Sequence, residues 1–280
     1  MSPLRTGVAC LALMAAACGE TQVSDDTSFN LPDKLTEVSG LAVAGPDSVF
    51  THNDEFAIIY EFGLDNGKVL RAFALGKPTL EGDFEGIATG QGRVFLVTSD
   101  GLIYSVLPGK DGERVPYRVY DSGIGPRCEI EGLSQAPDPD ELLLMCKRFR
   151  NDNHDALLEA YRWRIGEDHA EEQPYLSVSL DGMLKKKKDR AEFRPSGLEY
   201  YPACQQYYIV SARNQMVLVL DRSGALVAQR KFKAKRHPQA EGIAVMPDGR
   251  VVLADEGSRS RKGRITVYAR NRITDSCGTP

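Results

Sequence analysis

Three glutamates, Glu85, Glu131 and Glu241, each stand directly before a glycine in stretches that resemble one another. Asp100 and Glu256 each lie just after a short apolar run that follows such a stretch. If these segments converge in the fold, the carboxylates repel one another and take up protons unless a cation joins them. Oxygen-only clusters are typical of Ca²⁺, which binds six to eight oxygens at about 2.3–2.6 Å. We therefore predict that these five residues bind calcium.

A second interpretation of the glutamates needs no metal. Each carboxylate would cap backbone amides where two repeats meet, and the space between the repeats would hold only water. We favour the metal because the glutamate recurs at one position in three of five repeats. Calcium suits the cluster better than zinc, since the cluster contains no histidine or cysteine.

Two histidines are the best candidates for catalysis: His52, and His237, which lies four residues before Glu241. A histidine beside calcium could act as a general base on a polarised ester, lactone or phosphate. The plainer interpretation, which we favour, is that His52 ends a strand and that His237 forms a turn with Pro238. The sequence contains no GxSxG, HExxH, P-loop or EF-hand motif, so no catalytic residue is assigned.

Five glycines mark an internal repeat, at positions 40, 86, 132, 197 and 242, which are 46, 46, 65 and 45 residues apart. Each is followed by short apolar runs rich in Val, Ile, Tyr and Phe, with turn residues between them. Such runs are typical of strands, and four strands per repeat of about 40–45 residues are typical of β-propeller blades. We predict an all-β, five-bladed propeller of four-stranded antiparallel blades, with six blades as the alternative.

The fifth repeat ends after three strands, and a strand-like segment at 28–31 precedes the first repeat. We predict that this N-terminal strand completes the fifth blade and closes the ring, because closure pairs an otherwise open edge. A closed ring brings the residue before each motif glycine to the same mouth of a central channel. This geometry is the reason to expect Glu85, Glu131 and Glu241 near one another.

The first residues have the pattern of an export signal. Arg5 precedes a short apolar run at 7–17, and small residues lead to Cys18. Residues 14–18, Met-Ala-Ala-Ala-Cys, are similar to a bacterial lipobox, which predicts a signal peptide at 1–17, a lipid on Cys18, a polar tether at 18–27 and a propeller at 28–280. We expect a lipid-anchored envelope protein, at the outer membrane facing the periplasm. An ordinary signal peptide cut nearby is the alternative.

Export affects how the cysteines are interpreted, because disulfides persist in oxidising compartments. Four cysteines remain after the leader and Cys18 are set aside. The propeller topology puts Cys128 and Cys146 toward the glutamate mouth, and Cys204 and Cys277 toward the opposite face. We therefore predict the disulfides Cys128–Cys146 and Cys204–Cys277.

The 280 residues carry a formal net charge of −4, with 35 Lys and Arg against 39 Asp and Glu. This balance argues against nucleic acid as a partner, because phosphate binding needs a surplus of basic residues on one face. Four lysines at 185–188 are the main local exception, and we interpret them as a solvated loop. The sequence identifies no particular protein or small-molecule partner.

The pattern Ser-Gly, Glu-Gly, Glu-Gly, Ser-Gly, Glu-Gly across the repeats resembles the SdiA-regulated family of bacterial β-propellers, which is distantly similar to NHL-repeat proteins. The resemblance covers about residues 35–270 and is most specific at 239–244 with Asp255 and Glu256. It implies a five-bladed propeller with calcium near the centre, at Glu85, Glu131 and Glu241. It implies no established activity, and the lysines at 185–188, the cysteines and the lipobox depart from its pattern.

Together these observations predict an envelope-anchored, calcium-binding propeller lipoprotein that acts as a non-enzymatic binding module. The alternative is a calcium-dependent hydrolase of small esters, lactones or phosphates at the channel mouth, with His52 or His237 as its base. The lack of a recognisable nucleophile favours the binding module.

Overall fold

Five antiparallel sheets form the blades of the protein in a computed structural model, which describes residues 26–150, 156–270 and 272–273. The five-bladed, all-β prediction is confirmed, and the six-bladed alternative is wrong. The predicted signal peptide at 1–17, Cys18 and Cys277 lie outside the described residues, so the predictions that rest on them stay predictions.

Within each blade the strands are ordered from the innermost, which lines the channel, to the outermost, at the edge of the ring. The chain begins with β1 (Thr27–Asn30), which belongs to blade 5, and a short 3₁₀ helix (Asp33–Leu35). Blade 1 comprises β2 (Val38–Gly45), β3 (Ser48–Asn53), β4 (Ile58–Gly63) and β5 (Lys68–Leu75). Blade 2 comprises β6 (Phe84–Gly90), β7 (Arg93–Thr98), β8 (Leu102–Val106) and β10 (Tyr117–Asp121), while β9 (Arg114–Val115) pairs in parallel with β5.

The remaining blades follow the same order. Blade 3 comprises β11 (Cys128–Gln135), β12 (Glu141–Phe149), β13 (Leu157–Arg164) and β14 (Leu176–Ser179). A helical turn, α1 (Lys187–Ala191), connects it to blade 4, which comprises β15 (Gly197–Tyr201), β16 (Gln206–Ser211), β17 (Met216–Asp221) and β18 (Leu226–Lys231). Blade 5 comprises β19 (Ala240–Val245), β20 (Val251–Asp255), β21 (Arg264–Tyr268) and β1.

The innermost strands contact one another in a closed cycle: β2 with β6, β6 with β11, β11 with β15, β15 with β19, and β19 with β2. The motif glycines allow this close approach, because a Cβ atom on Gly86 would lie 2.8 Å from the backbone nitrogen of Leu133. A Cβ atom on Gly197 would likewise lie 2.9 Å from the carbonyl oxygen of Glu241. The channel is therefore narrow where these glycines meet.

The N-terminal strand closes the ring as predicted, one residue earlier than the expected 28–31. β1 pairs antiparallel with β21, with Thr27 opposite Val267. The backbone nitrogen of Leu31 then donates to the carbonyl oxygen of Gly263 at 2.7 Å. Phe29 packs edge-on against Phe62 of blade 1, with ring centroids 6.0 Å apart. The strand thus joins blade 5 to blade 1 as well as completing a sheet.

Apolar side chains form five clusters, each between two neighbouring blades. Between blades 2 and 3, for example, the fully buried Trp163 contacts Phe95 edge-on, with ring centroids 6.0 Å apart. Because each blade is covered on both faces, its strands are apolar on both sides, as in β16, where every residue is buried. This explains why the sequence shows continuous apolar runs instead of strict alternation.

Cys128 and Cys146, the first pair expected from the sequence, form a disulfide with Cα atoms 5.6 Å apart. Cys204 is also disulfide-bonded. Its predicted partner, Cys277, lies outside the described residues, so that pairing stays a prediction.

The long interval between blades 3 and 4 contains α1, so the segment predicted as a loop includes one helical turn. The four lysines at 185–188 are all exposed, as a solvated segment requires. Within the part of the chain that the structure describes, no helix is long and apolar enough to cross a membrane.

Candidate functional site

Glu85, Glu131 and Glu241 converge at one end of the channel, which we call the acidic mouth. They lie in the first halves of β6, β11 and β19, so the ring brings together three residues that are far apart in the chain. The hydroxyl of Ser39, the equivalent residue of blade 1, donates to Oε2 of Glu85 at 3.4 Å. The structure therefore places these three predicted residues as the sequence analysis expected.

Burial raises the pKa values of all three glutamates, and neighbouring carboxylates add to the effect. Loss of hydration raises the pKa of Glu131 to about 9, and the nearby charge of Glu85 adds to this effect. Loss of hydration also raises the pKa of Glu85 to about 7 and raises the pKa of Glu241. The acidic mouth therefore retains protons at neutral pH that isolated glutamates in water release.

Lys147, a residue that the sequence analysis did not assign, supplies a positive charge at the acidic mouth. Its Nζ lies 2.7 Å from Oε2 of Glu131 and 3.5 Å from Oε1 of Glu129. Its charge also opposes the effect of burial on the pKa values of Glu85 and Glu241. Although burial disfavours the ammonium, the surrounding carboxylates raise the pKa of Lys147 overall. Lys147 thus has the electrostatic role that the sequence analysis gave to a metal ion.

The acidic mouth does not fit calcium in this arrangement, although its donors are of a suitable type. Among the described residues, no three His, Cys, Asp or Glu side chains are placed so that they could hold a metal ion. The ammonium of Lys147 already contacts Glu131, where a cation would bind. A calcium ion would have to displace this ammonium and the retained protons, so calcium binding stays a prediction.

Of the two other predicted ligands, Glu256 lies near the glutamates and Asp100 does not. Glu256 lies beside the acidic mouth, where burial, followed by repulsion from Glu241, raises its pKa to about 7. The side-chain amide of Gln239 donates to it. Asp100 accepts a hydrogen bond from the Thr98 hydroxyl in the turn after β7. Asp100 therefore stabilises the turn after β7 and is not part of the glutamate cluster.

His237 belongs to a buried chain of hydrogen bonds within blade 5. Its Nδ1 lies 2.7 Å from Oδ2 of Asp255, and its Nε2 lies 2.5 Å from the hydroxyl of Tyr268. The ring of Phe232 covers the imidazole at a centroid distance of 4.8 Å. With both nitrogens engaged and 1% of the residue exposed, His237 is not placed to remove a proton from a substrate.

His52 is fully buried within blade 1. Its Nδ1 lies 2.8 Å from the carbonyl oxygen of Asn53, and burial lowers its pKa to about 4. A Cβ atom on Gly40 would lie 2.8 Å from its Nε2, which shows how closely the inner strand covers the ring. His52 is therefore neutral and enclosed, as the strand-end interpretation expects.

A cavity of about 340 Å³ opens beside the acidic mouth, and we call it the charged cavity. Its charged lining residues are Glu131 and Lys147 from blade 3, Arg194 and Arg213 from the blade 4 side, and Glu241 from blade 5. The two arginines therefore lie toward blade 4, whereas Lys147 and the two glutamates come from blades 3 and 5. A pocket of this size with a few convergent polar groups is typical of small-molecule sites.

Two solved structures of enzymes are similar to this chain at very low sequence identity. A luciferin-regenerating enzyme is similar with a TM-score of 0.54 and 10% identity over 90% of this chain and 98% of its own. A glutaminyl cyclase from Myxococcus xanthus is similar with a TM-score of 0.56 and 15% identity over 87% of this chain and 94% of its own. At this identity the likeness shows the fold alone.

No protein-family model and no curated protein match the chain, so membership of the SdiA-regulated family stays a prediction. The propeller fold itself does not depend on that membership, because the five sheets and their cyclic contacts establish it.

The repeat itself contained a signal for Lys147. The lysine lies near the end of the second strand of its blade, where blade 1 has Asp54 and blade 5 has Glu256. The sequence analysis considered only the carboxylates at these strand ends. A basic residue at a repeat position that is otherwise acidic or small was the feature that could have identified it.

Proposed function

We propose that this protein is an envelope-anchored binding module without catalytic activity, and that the charged cavity holds its ligand. The observation that carries the proposal is the separation of histidine from the cavity: His52 and His237 are buried within their blades, whereas acids and bases line the cavity. The lipobox-like sequence before Cys18 supports the anchor.

The charges of the cavity suit a small zwitterion. The guanidinium group of the exposed Arg213 offers a fork of donors that matches a carboxylate, whereas the guanidinium of Arg194 already donates to the carbonyl oxygens of Ala191 and Phe193. Glu241, closer to the axis, can accept a hydrogen bond from an ammonium group, whereas Glu131 already contacts the ammonium of Lys147. A ligand with both groups would satisfy both sides of the cavity at once.

Calcium is the second candidate ligand of the same mouth. The oxygen-only donors of the mouth are of the type that calcium prefers, whereas the placement of the described carboxylates and the contact between Lys147 and Glu131 oppose it. Removal of the ammonium would therefore favour calcium, because the freed carboxylates would need another cation.

Calorimetric titration of the purified protein with diglycine, a zwitterion, tests the proposal. We expect Arg213→Gln to weaken binding about tenfold, a loss of about 1.4 kcal/mol, because an exposed guanidinium that pairs the ligand carboxylate is removed. Arg118→Gln, an exposed arginine on the outer strand of blade 2, should bind like the wild type.

A separate thermal-shift titration tests calcium. Because Lys147→Met removes the ammonium that contacts Glu131, calcium should raise the melting temperature of this variant more than that of the wild type.

Two outcomes would contradict this assignment. Equal diglycine affinity in the wild type and Arg213→Gln would exclude the charged cavity as the site. Turnover of an ester, lactone or phosphate that is lost in His52→Ala or His237→Ala would establish the hydrolase alternative instead.

A further inference from the structure

A second cavity, of about 370 Å³, lies at the opposite end of the channel, and we call it the apolar cavity. All five blades contribute to it near the ends of their inner strands, through Val43, Thr89, Gln135, Tyr201 and Val245 among others. Most of its lining is aliphatic, aromatic or proline. Its size and composition fall within the range of small-molecule binding sites.

Glu199 is the one charged side chain among the residues that line the apolar cavity. It stands two residues after the motif glycine of blade 4. The same position holds Ala42, Ala88, Ser134 and Ala244 in the other blades. Since small side chains suffice at this position in four blades, the fold does not require a carboxyl group there.

The surroundings of Glu199 give a negative charge little compensation. The Ser134 hydroxyl lies 3.4 Å from its Oε2, near the limit of a hydrogen bond, and no lysine or arginine lines the cavity. Burial raises the pKa of Glu199 to about 8, although Ser134 and the backbone of Val245 donate to it. A ligand that brought its own cation would therefore gain from this carboxylate.

We propose that the apolar cavity binds a small hydrophobic amine, whose ammonium group pairs with Glu199 and whose apolar part packs against Tyr201 and Val245. An ammonium group supplies the counter-charge that the lining lacks, and the aromatic wall can contact a cation favourably. This site is separate from the charged cavity, so it stands or falls independently of the function proposed above.

Calorimetry with 2-phenylethylamine tests this proposal, with 2-phenylethanol as the neutral probe of similar shape. We expect the amine to bind the wild type saturably and at least tenfold more tightly than the alcohol. Glu199→Gln should weaken amine binding at least tenfold, whereas Glu167→Gln, a matched change at an exposed glutamate, should not change it. Excess diglycine should not compete.

A measurement on the wild type alone keeps the test valid if Glu199→Gln does not fold. Because Glu199 holds a proton below pH 8 and must lose it to pair with the ammonium, binding should release a proton. The heat of binding should then differ between phosphate and Tris buffers, and affinity should rise at least tenfold from pH 6 to pH 8. Absence of amine binding, absence of proton release, or tighter binding of the alcohol would overturn the proposal.

Discussion

At the acidic mouth, one ammonium group faces three glutamates that the ring forces together. Lys147 contacts Glu131 directly and moderates the pKa values of Glu85 and Glu241. One positive charge cannot balance three carboxylates, so the remaining repulsion is relieved by retained protons. The charge of this mouth therefore depends on pH within the neutral range.

This retention of protons predicts how stability depends on pH. The unfolded chain releases these protons near pH 4.5, whereas the folded protein keeps that of Glu85 to about pH 7 and that of Glu131 to about pH 9. The folded state therefore binds more protons, and the free energy of unfolding should fall as the pH rises from about 5 to about 9. We expect a loss of at least about 2 kcal/mol, measured by urea unfolding.

Two variants separate this effect from general titration of the surface. Glu131→Gln should make the dependence on pH clearly shallower, since its amide cannot ionise. Asp65→Asn, at an exposed carboxylate in the turn after β4, should leave the slope unchanged. A wild-type stability that is constant or rises between pH 5 and pH 9 would contradict the raised pKa values.

The residues that follow the repeat could be predicted from the sequence. The residues that depart from the repeat could not. Glu85, Glu131 and Glu241 share one repeat position, so their convergence follows from ring symmetry. Lys147 and Glu199 each occur once, at positions where the other blades have different residues. Their importance depends on burial and on neighbouring charges, which only the assembled ring determines.

Among the secondary-structure elements, the short strand β1 has a large effect on the ring for its length, because it completes blade 5. Four residues complete blade 5, and the adjoining Leu31 is 1% exposed in the cluster between blades 5 and 1. Without this strand, the outer edge of β21 would be open to water, and the ring would lose contacts across its closure.

Leu31→Ala should therefore destabilise the whole ring. We expect a loss of about 2–5 kcal/mol in the free energy of unfolding, the usual range for a cavity left by a fully buried leucine. Leu70→Ala, at a leucine that is 50% exposed on β5, should cost less than about 0.5 kcal/mol. If urea unfolding showed a similar loss in the free energy of unfolding for both variants, the segment around β1 would not contribute to the stability of the ring.

Strand count was more predictable than the connections between strands. The spacing of the motif glycines indicates five blades because each four-stranded blade needs a similar length of chain. The parallel pairing of β9 with β5 and the helical turn α1 both fall in longer connections without repeat symmetry. Local propensity alone does not determine such segments, because packing against neighbouring blades decides their conformation.

The whole molecule presents two cavities of different chemistry at the two ends of one channel. Acids and bases line the charged cavity, whereas the apolar cavity has a single carboxyl group, Glu199. The narrow glycine-lined section lies between them, so a ligand in one cavity does not contact a ligand in the other.

The predicted anchor can be tested on the whole molecule by changing Cys18 to serine. A lipobox cysteine accepts the lipid through its thiol, so Cys18→Ser should move the protein from the membrane fraction to the soluble envelope fraction. Cys10→Ser, within the apolar run of the leader, is the matched control and should leave the protein in the membrane fraction. Membrane association that survives Cys18→Ser would contradict the lipid anchor.

If Cys18 carries the predicted lipid, the pairing of β1 with β21 sets the end of the channel from which the tether leaves. Thr27 lies opposite Val267, near Tyr268, which pairs with Val251 beside the end of β19, so the chain enters blade 5 from the side of the apolar cavity. Thr27 is nine residue steps from Cys18, a reach of at most about 30 Å. The predicted acyl chain on Cys18 would thus be joined to the propeller on the side of the apolar cavity, and the charged cavity would lie at the far end of the channel from the tether.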